Sequence, residues 1–228
     1  MLRGIKQRLY SPFTIFSQIL FLYTISSLLG YFWYLQSSSK QYFLYLFLAE
    51  IITISRPRVD EMEKLVRTGQ IAPFLVRPAS LFFQFLPYCM GASLFDFAVL
   101  TLASLPVLFL LGFPSPVFFL LAPLALLLAY TFSFIFQLLS FFLGETKFVH
   151  WIISKLILIA GGTVIPLNFL PYPLLSYLPF KYMVYAPVAF SLGMDVNIFP
   201  LFLWLFLLSL SALILEKMAV RHYEVGGG

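Results

Sequence analysis

The sequence predicts an all-α integral membrane protein. It reads as six transmembrane helices with an amphipathic helix at the N-terminus, a cytoplasmic helix between spans 2 and 3, and an external re-entrant hairpin between spans 5 and 6. Three observations predict this. The 228 residues are 61% hydrophobic and only 10% charged, whereas a soluble domain carries about 25% charged residues, so too few charges exist to build a water-facing surface. The apolar residues fall into runs near the roughly 20 needed to cross a bilayer, separated by short polar breaks. The basic residues gather in alternate breaks, as the positive-inside rule requires of cytoplasmic loops.

The runs follow in order. "PFTIFSQILFLYTISSLLGYFWYLQ" (12–36) is a full first span, with Tyr31, Trp33 and Tyr34 as an interfacial belt at its far end. It is too long for a signal-peptide core and no small-residue cleavage pattern follows, so it reads as retained. Residues 1–11 before it form a basic interfacial segment. "SSSK" (37–40) turns the chain into a short second span, 41–55, which ends at "RPR". Residues 78–113 are longer than one span needs. Pro87 and Pro106 break them, so an amphipathic lead-in precedes a span proper of about 89–112. "PSP" marks a turn. The fourth span is 117–143, with Pro123 placed to kink it. After "GETK" the fifth is 148–165, a proline-rich stretch follows, and the sixth is 197–215, with a cytoplasmic tail over 216–228.

Six crossings put Arg3, Lys6, Arg8, Arg56, Arg58, Lys64, Arg67, Arg77, Lys147, Lys217 and Arg221 on one side. Only Lys40 and Lys181 lie on the other. Both termini and residues 56–78 are therefore expected in the cytoplasm. The net charge of +5 reflects this topology and attraction to anionic lipid, and gives no reason to invoke nucleic acid.

The charged island "EMEKLVRTGQIAPFLVRP" (61–78) interrupts this apolar chain. Asp60 and Glu63 have capping-box spacing, and Asp60, Glu61 and Glu63 suit a helix N-terminus. Lys64 and Arg67 suit its C-terminus, and Gly69 is placed to end it. Met62, Leu65 and Val66 form one apolar stripe. The spacing predicts a short amphipathic helix, either a solvated loop held down by its stripe or a handle for a partner. The external stretch 166–195 carries Pro166, Pro171, Pro173, Pro179 and Pro187, yet stays apolar. Prolines this dense exclude a spanning helix, and a plain loop would be polar. Short helices dipping into the outer leaflet fit, buried so that broken backbone groups are satisfied, with Tyr172, Tyr177, Tyr182 and Tyr185 at interfacial depth. A purely structural lid fits as well.

Glu50, Asp96 and Lys155 lie in or near spans, where each costs about 2.5–3.5 kcal/mol at the bilayer centre on an insertion scale. They are expected to face the bundle interior or lie close to an interface. Glu50 can pair with Arg56 or Arg58, Lys155 can snorkel, and Asp96 is the deepest. The single Cys89 excludes an intrachain disulfide. His150 and His222 are far apart, His150 reading as interfacial. No phosphate-binding loop, H-E-x-x-H, paired-carboxylate or G-x-S-x-G pattern is present, so no catalytic, cofactor or metal residue is expected.

Taken in this order, the parts resemble the membrane subunit of an ATP-binding-cassette exporter of the ABC-2 type. The likeness covers nearly the whole chain and rests on two motifs. "LVRTGQIAPFLVRP" matches at Gly69, Ile71, Leu75, Arg77 and Pro78. "GGTVIPLNFLP" with "LPFKYMVYAPVAFSLG" matches at Gly162, Pro166, Pro171, Leu178, Pro179, Phe180, Pro187 and Gly193. The resemblance implies that residues 56–78 form a coupling loop. It would dock on a separate cytoplasmic ATPase through Glu61, Met62, Glu63, Lys64, Leu65, Arg67, Gly69 and Gln70. Pro166, Pro171, Pro179, Phe180, Lys181 and Pro187 would then sit near an outward gate. It also implies ATP and Mg on the partner ATPase, a second permease subunit of the same or a related chain, and a place in the cell (plasma or inner) membrane. The apolar, aromatic spans favour an amphipathic or lipid-linked cargo or a hydrophobic drug. The alternatives are a channel or secondary transporter without an ATPase, for which no internal repeat is visible, or an integral-membrane enzyme.

Overall fold

A computed structural model describes residues 12–37, 40–58, 61–112, 114–167 and 177–225. The N-terminal segment 1–11, Asp60, Pro171, Tyr172 and Pro173 lie outside the described residues. Every regular element among those described is helical. They are α1 (Pro12–Ser37), α2 (Lys40–Ile54), α3 (Glu61–Arg67), α4 (Ala72–Leu75), α5 (Leu81–Leu111), α6 (Val117–Gln137), α7 (Ser140–Leu143), α8 (Lys147–Ala160), α9 (Pro179–Met183), α10 (Tyr185–Ser191) and α11 (Phe199–Val225). Among the described residues four stretches are long and apolar enough to cross a membrane: Pro12–Leu35, Leu81–Leu111, Val117–Leu143 and Phe199–Tyr223.

Helix α6 is the axis of the bundle. Its Ala122, Ala125 and Ala129 are buried, and small residues at this spacing let neighbouring backbones approach closely. Helix α11 packs along it, α5 and α8 flank it, and α9 and α10 wedge against it. Helices α1 and α2 form an antiparallel hairpin joined to the rest mainly through α5 and α10. The outer faces of α1 and α11 are apolar and exposed, through Phe16, Leu20 and Phe21 on one and Phe202, Phe206 and Leu210 on the other.

Three boundaries differ from the sequence reading. Helix α5 is continuous through Pro87 and Pro106, where a break was expected at each. Proline removes one backbone donor and strains the preceding turn, a cost tolerated in a helix packed against neighbours, and two side-chain bonds tie other carbonyls of α5 to those neighbours. The Tyr130 hydroxyl donates to Phe82 O at 2.7 Å and Tyr23 to Ala103 O at 2.6 Å. Pro123, placed to kink the fourth span, lies inside α6. Helix α8 stops at Ala160, short of the expected 165, because Gly161 and Gly162 end it. Gly162 has φ +80°, and a Cβ there would lie 3.0 Å from the Tyr45 hydroxyl and 3.2 Å from Tyr185 Cβ. Helix α11 instead runs ten residues past the expected 215, to Val225. Its Ala212, Glu216 and Ala219 are all buried, so the continuing helix has a face to bury.

Contacts sort the helix ends into two groups. The start of α1, the end of α2, α3 and the start of α8 line adjoining clefts at one end. At the other, Gln41 donates to Leu192 O and Ser115 N to Ser191 O.

Candidate functional site

The α3-bearing end carries the charged chemistry. Helix α3 forms where the capping pattern predicts it and ends at Gly69, whose φ of +70° is left-handed. Met62 and Val66 are buried among Ile71, Phe82 and Tyr130, with Leu65 packed beside them. The apolar stripe therefore lies on this chain. Lys64, Arg67 and the following Gly69 and Gln70 are exposed. Glu63 turns inward instead. It is 6% exposed, and its Oε2 accepts a hydrogen bond from Thr146 Oγ1 at 2.7 Å. Thr146 is the N-cap residue of α8, so this bond joins the island to the start of α8.

Helix α8 divides its faces three ways. Ile153, Ile157 and Ala160 are buried, while Phe148, Ile152, Leu156 and Ile159 are exposed and apolar. His150, Trp151, Ser154 and Lys155 recur at helical spacing on a third, polar face, which looks into two adjoining clefts. One, of about 660 Å³, lies between the start of α1, the end of α2 and α8. It is lined by Gln18, Glu50, Arg56, Arg58, His150 and Lys155, among others. The second, of about 560 Å³, lies between α3, the end of α6 and α8, and includes Glu63, Lys64, Arg67, Gln137 and Lys147. It shares His150, Ser154 and Lys155 with the first.

Cations dominate both. Among the described residues the first cleft sets Arg56, Arg58 and Lys155 against one carboxylate, Glu50, which is 3% exposed. Arg56 Nε donates to Thr53 O at 3.1 Å. Burial pulls the Arg56 guanidinium down to about 10, opposed by the Glu50 carboxylate, so it stays charged at neutral pH. Lys155 stands over the Trp151 ring at 5.9 Å, a modest cation–π contact. In the second cleft the buried Gln137 Oε1 has no hydrogen-bond partner among the described residues. Lys147 pairs with Glu145 at 3.3 Å on the exposed turn, an arrangement worth little. The described residues hold no group of His, Cys, Asp or Glu that could take a metal.

Of the three ionisable residues expected in or near spans, Glu50 and Lys155 thus line one cleft. Asp96 does not; its Oδ2 accepts from Gln18 Nε2 at 3.3 Å, which ties α5 to α1. The residues expected at the gate lie elsewhere. Pro179 opens α9, and Phe180 meets Phe132 edge-on at 5.1 Å between ring centroids. Lys181 Nζ sits over Tyr182 and Tyr185 at 5.9 and 5.7 Å, and burial lowers its pKa. Pro187 lies in the first turn of α10, where no helical donor is lost, and Pro166 is buried.

Sequence reasoning missed Thr146 as the partner of Glu63 and Arg56, Arg58, His150 and Ser154 as neighbours of Lys155. The helical spacing of residues 147–155 was the available signal. It also missed Glu216, assigned to a polar tail. The Glu216 carboxylate accepts from Leu81 N at 2.6 Å and Phe82 N at 3.1 Å, capping α5 from α11. No protein-family model matches the chain, and no curated protein matches it.

Proposed function

We propose that this chain is the membrane subunit of an ATP-driven exporter of the ABC-2 type. It would cross the cell membrane six times with both termini cytoplasmic and pair with a second permease subunit to complete the pathway. Helix α3 is its coupling helix, docking on a separate ATPase that holds ATP and Mg. Residues 166–195 form the external re-entrant segment at the outward gate.

One observation carries this reading. A short helix at the charged end has its apolar stripe packed on the bundle and its cations Lys64 and Arg67 exposed, and Glu63 ties it to the start of α8. A push on α3 would pass through that bond to a helix lining both clefts. Affinity purification from native membranes is expected to bring down an ATPase carrying a phosphate-binding loop. Lys64→Glu with Arg67→Glu is expected to cut its recovery at least tenfold. Surface changes of this kind alter stability by about 0.5 kcal/mol or less, so the heat-unfolding midpoint should hold. Undiminished recovery of the partner contradicts the docking role, and a chain that purifies without any ATPase contradicts the exporter reading.

A further inference from the structure

We propose that the cleft between α1, α2 and α8 binds the phosphate headgroup of an anionic lipid, with Arg56, Arg58 and Lys155 as its cationic contacts. The proposal concerns binding by this chain alone and holds whether or not an ATPase drives it.

The donor balance argues first. Arg and Lys side chains only donate hydrogen bonds, and the hydroxyl of Ser154, which lines the same cleft, can add to them. Among the described residues Glu50 is the one carboxylate lining the cleft, outnumbered three to one by Arg56, Arg58 and Lys155. The ligand that satisfies such a wall is rich in acceptors and carries negative charge. Guanidinium groups bind phosphate through parallel hydrogen bonds, and two of the three cations here are arginines. The volume of about 660 Å³ lies within the roughly 300–1,000 Å³ usual for small-molecule sites.

The surroundings argue for a lipid over a free anion. Phe21 lines the same cleft and is 51% exposed, on the outward apolar face of α1. Ile54 and Leu158 line it too. On α8 the polar face stands beside the exposed Ile152, Leu156 and Ile159. A headgroup in the cleft would leave an acyl chain beside apolar side chains that already face outward. A free phosphate would leave Phe21 and Leu158 without a role in recognition.

The test uses the full chain in phosphatidylcholine nanodiscs. The probes are dioctanoyl phosphatidylglycerol, dioctanoyl phosphatidylcholine and inorganic phosphate, and binding is read by native mass spectrometry and equilibrium displacement. The anionic lipid is expected to bind at least tenfold tighter than either other probe. Arg58→Gln with Lys155→Gln, both at exposed positions, is expected to weaken it at least tenfold and leave the phosphatidylcholine probe unchanged. Arg77→Gln is the control, because Arg77 lies over Phe74 and outside the cleft. A photoreactive phosphatidylglycerol is expected to label residues 147–160 of the wild-type chain, a readout that needs no variant. Equal binding of the anionic lipid by the double variant, equal loss in Arg77→Gln, or labelling confined to other peptides overturns the site. Inorganic phosphate binding as tightly as the anionic lipid overturns the lipid assignment.

Discussion

At the scale of single residues, two carboxylates on the charged end hold separate helices together. Glu63 accepts from Thr146, and Glu216 accepts from two backbone amides at the start of α5. A helix N-terminus carries unpaired donors and a positive end of its dipole, so a buried carboxylate there satisfies both. Hydrogen bonds to charged groups contribute about 1.5–3 kcal/mol. Glu216→Ala is therefore expected to lower stability by about that amount, and Glu216→Gln by less, since one acceptor oxygen remains. Heat unfolding in detergent measures both, and an Ala variant as stable as wild type contradicts the capping role. The sequence revealed that residues 61–67 are helical, because the acidic start, basic end and Gly69 all act locally. It could not reveal which carboxylate turned inward. Glu63 and Glu216 each find partners about 80 or more residues away, and no spacing rule reaches that far.

At the scale of elements, composition and run length made the four long apolar helices legible, and the ends of the short ones were not. Pro87 and Pro106, read as breaks by the rules for water-soluble helices, sit inside α5, because packing against neighbouring helices within a bundle tolerates the donor each removes. The fifth apolar run continues past Ala160, but the backbone turns at Gly162 under contact with Tyr45 and Tyr185. The Tyr45 hydroxyl donates to Gly162 O at 2.6 Å, and Trp33 Nε1 donates to Val164 O at 3.1 Å. Gly162→Ala is expected to lose this turn through two effects, a left-handed backbone costing about 1–2 kcal/mol and a Cβ crowded within 3.0–3.2 Å of three neighbours. Gly69→Ala meets the backbone cost alone, because nothing lies within 4 Å of its would-be Cβ. Unfolding midpoints should therefore fall further for Gly162→Ala than for Gly69→Ala. Equal losses contradict the crowding argument.

At the scale of the whole molecule, the count of crossings decides the account. Helices α2 and α8 have 15 and 14 residues, or about 21–23 Å at 1.5 Å per residue, against a hydrocarbon core of about 30 Å. Crossing by the four long helices alone would put α3 and Tyr177 on the same side of the membrane. Six crossings, with α2 and the fifth apolar run each crossing as well, put them on opposite sides. The grouping of helix ends favours the second arrangement, since Ser17, Glu50, Arg58 and His150 share one cleft while Gln41 and Ser191 meet partners at the far end. Single cysteines at Thr68 and Tyr177, both exposed, in a chain whose buried Cys89 is replaced by serine, test this in sealed cells with a membrane-impermeant maleimide. The account predicts that Tyr177→Cys is labelled from outside and Thr68→Cys only after the membrane is opened. Labelling of both from the same side contradicts six crossings, and with them a cytoplasmic coupling helix opposite an external gate.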